Sequence, residues 1–290
     1  MKSRPCISSD IMRPGQEDIS RYTAWFRTYA KGFCGEDGQV WEACSLKTRH
    51  TFRVMGEIGV LGKSLFLSSR EMRLARMMAL LHDVGRFTQY ARFKTFVDAV
   101  SVDHGDESAE IIAKENLLED FSDCERRLIL YCVKWHNKKE VPADASPEEE
   151  FFLRLLRDAD KLDIWRVVCA HYNGKREAPK ETVELGLPGD QSISQNVHKD
   201  IMAGGIVNSL DLKTAPDFMV LQMGWVFDLN IDKSFMLLNK RAYLEKIARA
   251  LPPCREAEEI YQKVRSYLDA RLQGKRETKA VSATGDANNG

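Results

Sequence analysis

The chain has 290 residues, of which 43% are hydrophobic and 30% are charged, which is enough apolar material for a sizeable core. Lys plus Arg and Asp plus Glu both number 43, and this neutral balance argues against a dedicated binder of nucleic-acid polymers, which usually carries a basic domain. The seven cysteines are scattered without a C-x-x-C pair, which indicates free thiols in a reducing compartment. No segment approaches the ~20 apolar residues of a membrane span, and the N-terminus lacks an apolar signal core, so we predict a cytoplasmic protein without membrane contact.

The dominant pattern along the chain is helical. Three Ser-x-x-Glu capping boxes, which begin at Ser68, Ser122 and Ser146, predict the starts of three helices with apolar residues at helical spacing. Gly85 is a plausible stop for the first of them. Further helices are predicted from Pro216 onward, over 234–251 and over 256–272.

These patterns predict an all-α protein, since strand-like alternation is scarce. Residues 1–20 are predicted to form a loose leader and 21–172 a helical core that holds the candidate metal ligands. Residues 173–273, which begin with a Gly/Pro-rich stretch, are predicted to be a loop insertion and a helical extension packed on that core. The small, polar residues 274–290 are predicted to be disordered.

His82 and Asp83 are adjacent at the end of the apolar helix MMALLHDVGRF. Neighbouring side chains on a regular helix point about 100° apart, so both can serve one point only where the helix ends. Because Gly85 supplies that end, His82 and Asp83 can converge on one metal, or one of them can bridge two.

Other candidate ligands lie on the apolar faces of different helices: His50, His136 and Asp160 each follow or precede apolar residues at i, i+4 spacing. A buried polar side chain is costly without a partner, and a buried carboxylate needs a cation. Single ligands from several facing helices are how metal sites in bundle cores are built. A lone inward histidine is nevertheless more often a hydrogen-bonded core residue than a ligand, and Asp158 is the alternative to Asp160 in the segment RDADKLD.

The series His50, His82-Asp83, Asp160 resembles the HD-domain superfamily of metal-dependent phosphohydrolases. The motifs that carry the resemblance are LLHDVGRF, DHGDESAEII, KWHNKK and RDADKLDIW, between residues 43 and 170. The resemblance implies an HD-domain helical bundle, here with a C-terminal helical extension, and Asp160 as the final ligand. The additional histidines His104 and His136 imply the form of the family that holds two metals. The implied metal ligands are His50, His82, Asp83, His104, His136 and Asp160.

Imidazole and carboxylate ligands without thiolates suit a divalent transition metal, which could be Mn, Fe, Co, Ni or Zn, as one ion or two. Such an ion lowers the pKa of bound water and makes hydroxide available at neutral pH. Arg86 and Lys161 are candidates to neutralise phosphate charge, and Asp83 is a candidate for the catalytic step as well as for the metal. Asp103, next to His104, is a candidate to orient an imidazole ligand or to assist proton transfer.

The function implied by the resemblance is hydrolysis of a phosphate ester or anhydride in a nucleotide or another small phosphorylated metabolite. Two alternatives stay open: a di-iron oxygenase of the same superfamily, which uses the same order of ligands, and a nucleotide-sensing regulatory module. No nucleic-acid polymer and no membrane is expected as partner, and a homo-oligomer is compatible with the C-terminal extension.

Overall fold

A computed structural model describes residues 18–33, 38–175, 183–189 and 192–285, with side chains for all of them except residues 39 and 275–285. The secondary structure of these residues is helical and includes no β-strand, so the all-α prediction is confirmed. The predicted leader falls mostly outside the described residues, as do residues 286–290 of the predicted tail. None of the described helices combines the length and the apolar character that crossing a membrane requires.

The chain divides into two compact units, with the boundary between Gly186 and Leu187. The boundary falls inside the Gly/Pro-rich stretch at the start of segment 173–273. The packing of the C-terminal helices on the N-terminal bundle stays a prediction.

The first unit is a bundle whose helices follow one another through short connections. They are α1 (Ser20–Gly32), α2 (Gly38–Ser64), α3 (Ser69–Leu81), α4 (Gly85–Phe93), α5 (His104–Lys114), α6 (Asp123–Trp135) and α7 (Pro147–Tyr172), with a 3-10 turn at Asp98–Val100.

The three capping boxes predicted from the sequence are present at the N-termini of α3, α6 and α7. In each, the serine side chain accepts a hydrogen bond from the backbone N–H three residues on, and the glutamate carboxylate accepts one from the serine backbone N–H. The starts of these helices are therefore fixed locally. The opposite ends of α3 and α6 hold two of the candidate ligands, because His82 and His136 are the C-terminal caps of these helices.

Packing of α2 against α3 and α7 forms the centre of the bundle, and α6 closes it by contacting α3, α5 and α7. The apolar faces of these helices are fully buried at Ile58, Leu74, Met78, Phe152 and Trp165. Burial of such large side chains is the main source of stability for a bundle of this kind. The polar residues discussed below project from the same faces, so they lie inside the bundle.

Two glycines allow α5 to approach its neighbours closely. A Cβ atom on Gly85 would lie 2.7 Å from the carbonyl oxygen of His104, and one on Gly105 would lie 2.6 Å from that of Lys134. Both distances are shorter than real Cβ contacts, so a side chain would separate the helices. Ser108 strengthens the first junction because its hydroxyl accepts from Gly85 N and donates to His82 O.

The second unit is also helical. It contains α8 (Gln195–Met202), α9 (Ala215–Gly224), α10 (Asp232–Arg241), α11 (Tyr243–Ala250) and α12 (Arg255–Gly285), and α12 contacts the other four. The helix predicted over 234–251 is two helices, because Ala242 adopts a left-handed conformation with φ of 52°. The backbone of α12 continues to Gly285, into the segment that composition alone predicts to be disordered.

Candidate metal centre

The six predicted ligands come together at the centre of the first unit. His50 lies on α2, Asp160 on α7 and His104 at the first position of α5, whereas His82, Asp83 and His136 lie at helix ends. All four imidazoles are buried, and so is Asp83. Ligand atoms group within 4.8 Å of one another in three sets: His50, His82 and Asp83; His82, His136 and Asp160; Asp83, His104 and His136.

Asp83 joins the two sides of this cluster. Its Oδ2 lies 3.5 Å from Nε2 of His50 and 3.5 Å from Nε2 of His82. Its Oδ1 lies 3.5 Å from Nε2 of His104 and 3.8 Å from Nε2 of His136. Each carboxylate oxygen thus faces a different pair of histidines, so one carboxylate could serve a cation on either side.

The other ring nitrogen of each histidine is engaged and fixes the tautomer. Nδ1 of His82 donates to the carbonyl oxygen of Ala79 at 2.8 Å, and Nδ1 of His136 donates to that of Val133 at 2.6 Å. A carbonyl oxygen can only accept, so these Nδ1 atoms carry the proton and the Nε2 atoms carry a lone pair.

Carboxylates play the same role behind the remaining two histidines. Nδ1 of His50 donates to Asp163 at 2.7 Å, and Nδ1 of His104 donates to Asp98 at 2.6 Å. Carboxylates in this position orient a metal-binding imidazole and raise its basicity.

An arginine donates hydrogen bonds to each of these carboxylates. Arg53 donates to Asp163 through Nε at 2.6 Å and through Nη2 at 3.0 Å, and Arg86 donates to Asp98 at 2.8 Å. Burial raises the pKa of both carboxyls, but the hydrogen bonds from His50 and His104, together with the charges of Arg53 and Arg86, outweigh it and hold the pKa far below the usual range. Both carboxylates are therefore ionised acceptors at neutral pH.

With the Nδ1 protons fixed, lone pairs face one another across the cluster. Nε2 of His104 lies 3.1 Å from Nε2 of His136, and Nε2 of His82 lies 3.4 Å from Nε2 of His50. Neutral imidazoles in these tautomers cannot hydrogen-bond to one another through these atoms, because both are acceptors. A cation between them would satisfy every lone pair, so this set of side chains fits a metal site. Ordinary core packing would leave the same lone pairs buried without a donor, which is costly.

The pKa values of the histidines follow from this environment. Burial lowers the pKa of His82 to about 4 and that of His104 to about 3. Burial and Lys47 also lower the pKa of His50, but hydrogen bonds to Asp160 and Asp163 outweigh them and raise it. His82 and His104 are therefore neutral and ready to bind a cation at neutral pH.

Two cationic side chains flank Asp83. Nζ of Lys47 lies 2.7 Å from Oδ2, and Nε of Arg86 lies 3.6 Å from Oδ1. Burial raises the pKa of the Asp83 carboxyl, but Lys47 and His82 outweigh it and hold the pKa well below the usual range. Asp83 is consequently an anion, and each of its oxygens has a lone pair that could bind a cation.

The prediction for Asp103 as the acceptor behind His104 is wrong, because Asp98 occupies that position. The carboxylate of Asp103 instead caps α5: it accepts from the N–H groups of Gly105 and Asp106, and it pairs with Lys138. It also accepts from Asn137 at 3.0 Å. An aspartate at a helix N-cap is committed to backbone N–H groups, which leaves it unsuited to proton transfer.

The remaining predicted residues lie on α4 and α7. Arg86 reaches the cluster, whereas Lys161 is buried on α7 directly after Asp160, and its predicted contact with phosphate stays a prediction. Asp158 is also buried but belongs to none of the ligand groups among the described residues, so Asp160 is the ligand that the geometry favours.

Residues 48–165 match the family model described as the HD domain. The protein contains an HD domain. All six candidate ligands lie within the matched residues, and the resemblance inferred from the sequence is confirmed. No curated protein and no solved structure matches the chain.

Sequence reasoning missed four residues that shape this HD-domain site: Lys47, Arg53, Asp98 and Asp163. Three of them carry a local signal, since Lys47 and Arg53 lie one turn before and one turn after His50, and Asp163 lies one turn after Asp160, on the same helix faces as the ligands. Asp98 carries none, because it lies in a 3-10 turn that only the packing of α4 and α5 brings to His104.

Proposed function

We propose that the HD domain of this protein is a phosphohydrolase that requires two divalent transition-metal ions and acts on a small phosphorylated metabolite, with nucleotides as the leading class. The observation that carries the proposal is the convergence of four Nε2 lone pairs on the two carboxylates Asp83 and Asp160. When bound, two ions would supply a water of lowered pKa and a docking point for phosphate oxygens.

The ligands separate into two groups that share Asp83. His50, His82 and Asp160 would hold one ion, since Nε2 of His50 lies 3.0 Å and Nε2 of His82 lies 3.8 Å from Oδ1 of Asp160. His104 and His136 would hold the other. The second group has fewer protein ligands, and this favours substrate or water as its remaining ligands.

The charge of the site favours an anionic substrate. The carboxylates of Asp83, Asp160, Asp98 and Asp163 are offset by Lys47, Arg53 and Arg86, so a single divalent ion already makes this set net positive. Arg86 is held rigidly, because Gln89 Oε1, the carbonyl oxygen of Phe96 and Asp98 Oδ1 surround its Nη1 and share its two N–H donors at 2.6–2.8 Å. A fixed guanidinium beside the metals would neutralise charge on a bound phosphate.

The test begins with metal analysis of the purified protein. Metal-free protein, prepared with a chelator, is reconstituted with Mn²⁺, Co²⁺, Ni²⁺, Fe²⁺ or Zn²⁺ and assayed with p-nitrophenyl phosphate and a panel of nucleotides. We expect phosphate release that depends on added metal and is lost in His82→Ala and Asp83→Asn. The matched control is His198→Ala, because His198 pairs with Glu259 and belongs to no ligand group among the described residues.

Two outcomes would overturn the proposal. Two irons per chain together with an oxygen-dependent product and no phosphate release would indicate the oxygenase chemistry that the same ligand order allows. Tight nucleotide binding without turnover under any metal would indicate the sensing module.

A further inference from the structure

We propose that Lys47 is a substrate ligand, whose ammonium group donates hydrogen bonds to the phosphoryl oxygens of the substrate at the metal centre. The inference rests on the proposed phosphohydrolase function and deepens it. Lys47 lies just before residues 48–165, which match the HD family, so the family match does not include it.

The position of Lys47 follows from the helix that carries the first histidine. It precedes His50 by three residues on α2, so both side chains leave the same face of the helix. The lysine side chain is 16% exposed, whereas the histidine is 4% exposed, so Lys47 lies on the outer side of the cluster. A substrate that reaches the metals would therefore meet this ammonium.

The ammonium group has unused hydrogen-bonding capacity. It carries three N–H donors, and within the described part of the chain it makes one hydrogen bond, to Oδ2 of Asp83 at 2.7 Å. The other close contact of Nζ is the ring of Phe96, whose centroid lies 5.3 Å away. Two N–H donors of this partly exposed cation are thus available to a ligand.

Lys47 and Arg86 together form an anion-binding pair. The Arg86 guanidinium carbon lies 5.6 Å from the same Phe96 ring, so the ring is a neighbour of both cations. Nε of Arg86 is buried and has no hydrogen-bond partner among the described residues. The two cations contact opposite oxygens of Asp83, and a phosphoryl group bound between them beside the metals would use the free donors of both.

An alternative role for Lys47 is purely structural: its ammonium could hold the Asp83 carboxylate in place for the metals. The two roles predict different consequences of removing the charge. Loss of a structural contact lowers metal content and stability, and full metal loading restores activity. Loss of a phosphate ligand weakens the binding of phosphate and slows turnover in the fully loaded enzyme.

The experiment compares the wild type with Lys47→Met, Lys47→Arg and the control Lys63→Met, an exposed lysine at the other end of α2. Each protein is loaded with saturating Mn²⁺, its metal content is measured, and kcat and KM for p-nitrophenyl phosphate and Ki for inorganic phosphate are determined. We expect Lys47→Met to retain the metal, to lose roughly 100-fold in kcat/KM and to bind phosphate about 10-fold more weakly. Lys47→Arg should recover part of the loss, and Lys63→Met should equal the wild type.

The outcomes separate this inference from the function on which it rests. If the loaded wild type releases no phosphate from any substrate, the proposed function fails. If the wild type is active and Lys47→Met keeps the wild-type kcat/KM and Ki at full metal loading, the role of Lys47 is refuted and the proposed function stands. A Lys47→Met protein whose only defect is reduced metal affinity also refutes the role and assigns Lys47 to the support of Asp83.

Discussion

The carboxylate of Asp163 should set the metal affinity of His50, and Asp163→Asn tests this. Asp163 is buried and accepts hydrogen bonds from His50 Nδ1 at 2.7 Å and from Arg53 Nε at 2.6 Å. Asparagine offers one carbonyl oxygen and an NH₂ group that only donates. Either His50 or Arg53 therefore loses its acceptor and faces a donor.

The size of the effect follows from these contacts. A hydrogen bond to a charged group contributes about 1.5–3 kcal/mol, and a partner behind a metal-binding imidazole changes metal affinity about 10–100-fold. The two magnitudes agree, because a tenfold change corresponds to about 1.4 kcal/mol. The stability of the metal-free protein should fall less, by about 1–2 kcal/mol, since the Arg53 side chain is 25% exposed and can turn to water.

The assay is calorimetric titration of metal-free wild type and Asp163→Asn with Mn²⁺, together with urea denaturation of both. The control is Asp123→Asn, whose side chain is 77% exposed at the start of α6. A folded Asp163→Asn protein with wild-type Mn²⁺ affinity would refute the argument that Asp163 orients the imidazole. An equal loss of affinity in Asp123→Asn would show that the assay does not report on the site.

Two further predictions concern pH and the final ligand. Because the pKa is lowered to about 4 in His82 and about 3 in His104, both are neutral in the folded chain, while unfolded imidazoles protonate near 6.5. The unfolded state then binds more protons below about pH 6.5, so the free energy of unfolding of metal-free protein should fall as pH drops toward 4, by roughly 1.4 kcal/mol per unit for each of the two. His50, whose pKa is raised, acts in the opposite direction only above about pH 6.5, where the folded chain holds its proton more tightly than the unfolded chain does, and it adds no slope below that pH. Urea denaturation in chelator at pH 7.5, 6 and 5 measures the slope, and a stability that rises between pH 6 and pH 5 contradicts the argument. Elemental analysis should show that Asp160→Ala loses bound metal and that Asp158→Ala keeps it. The reverse result would show that Asp158, and not Asp160, is the ligand.

Much of the candidate site could be predicted from the sequence because its determinants are local. The capping boxes at Ser68, Ser122 and Ser146 define where three helices begin, and each box is complete within four residues. The helical period then identifies the inward side of a helix, which led to His50 and Asp160 without any knowledge of their neighbours. The pair His82-Asp83 was recognisable because a glycine that follows it closely predicts a helix end there, and α3 does end just before the pair, at Leu81, although Gly85 begins α4.

The residues behind the ligands depend on how the helices pack. Asp103 adjoins His104 in the chain, yet its carboxylate caps α5, and Asp98 from the preceding turn accepts the imidazole proton instead. Sequence proximity does not reveal this, because an N-cap side chain turns toward the free N–H groups of the first helical turn.

The sequence by itself determined where three helices of the bundle begin and the helix faces on which His50, His136 and Asp160 lie. Only the tertiary structure decided that Asp83 faces two pairs of histidines, and that Lys47 and Arg86 contact opposite oxygens of it. The physical reason is range: helix starts and faces depend on residues a few positions apart, whereas these contacts join α2, α4 and the end of α3 across the interior of the bundle.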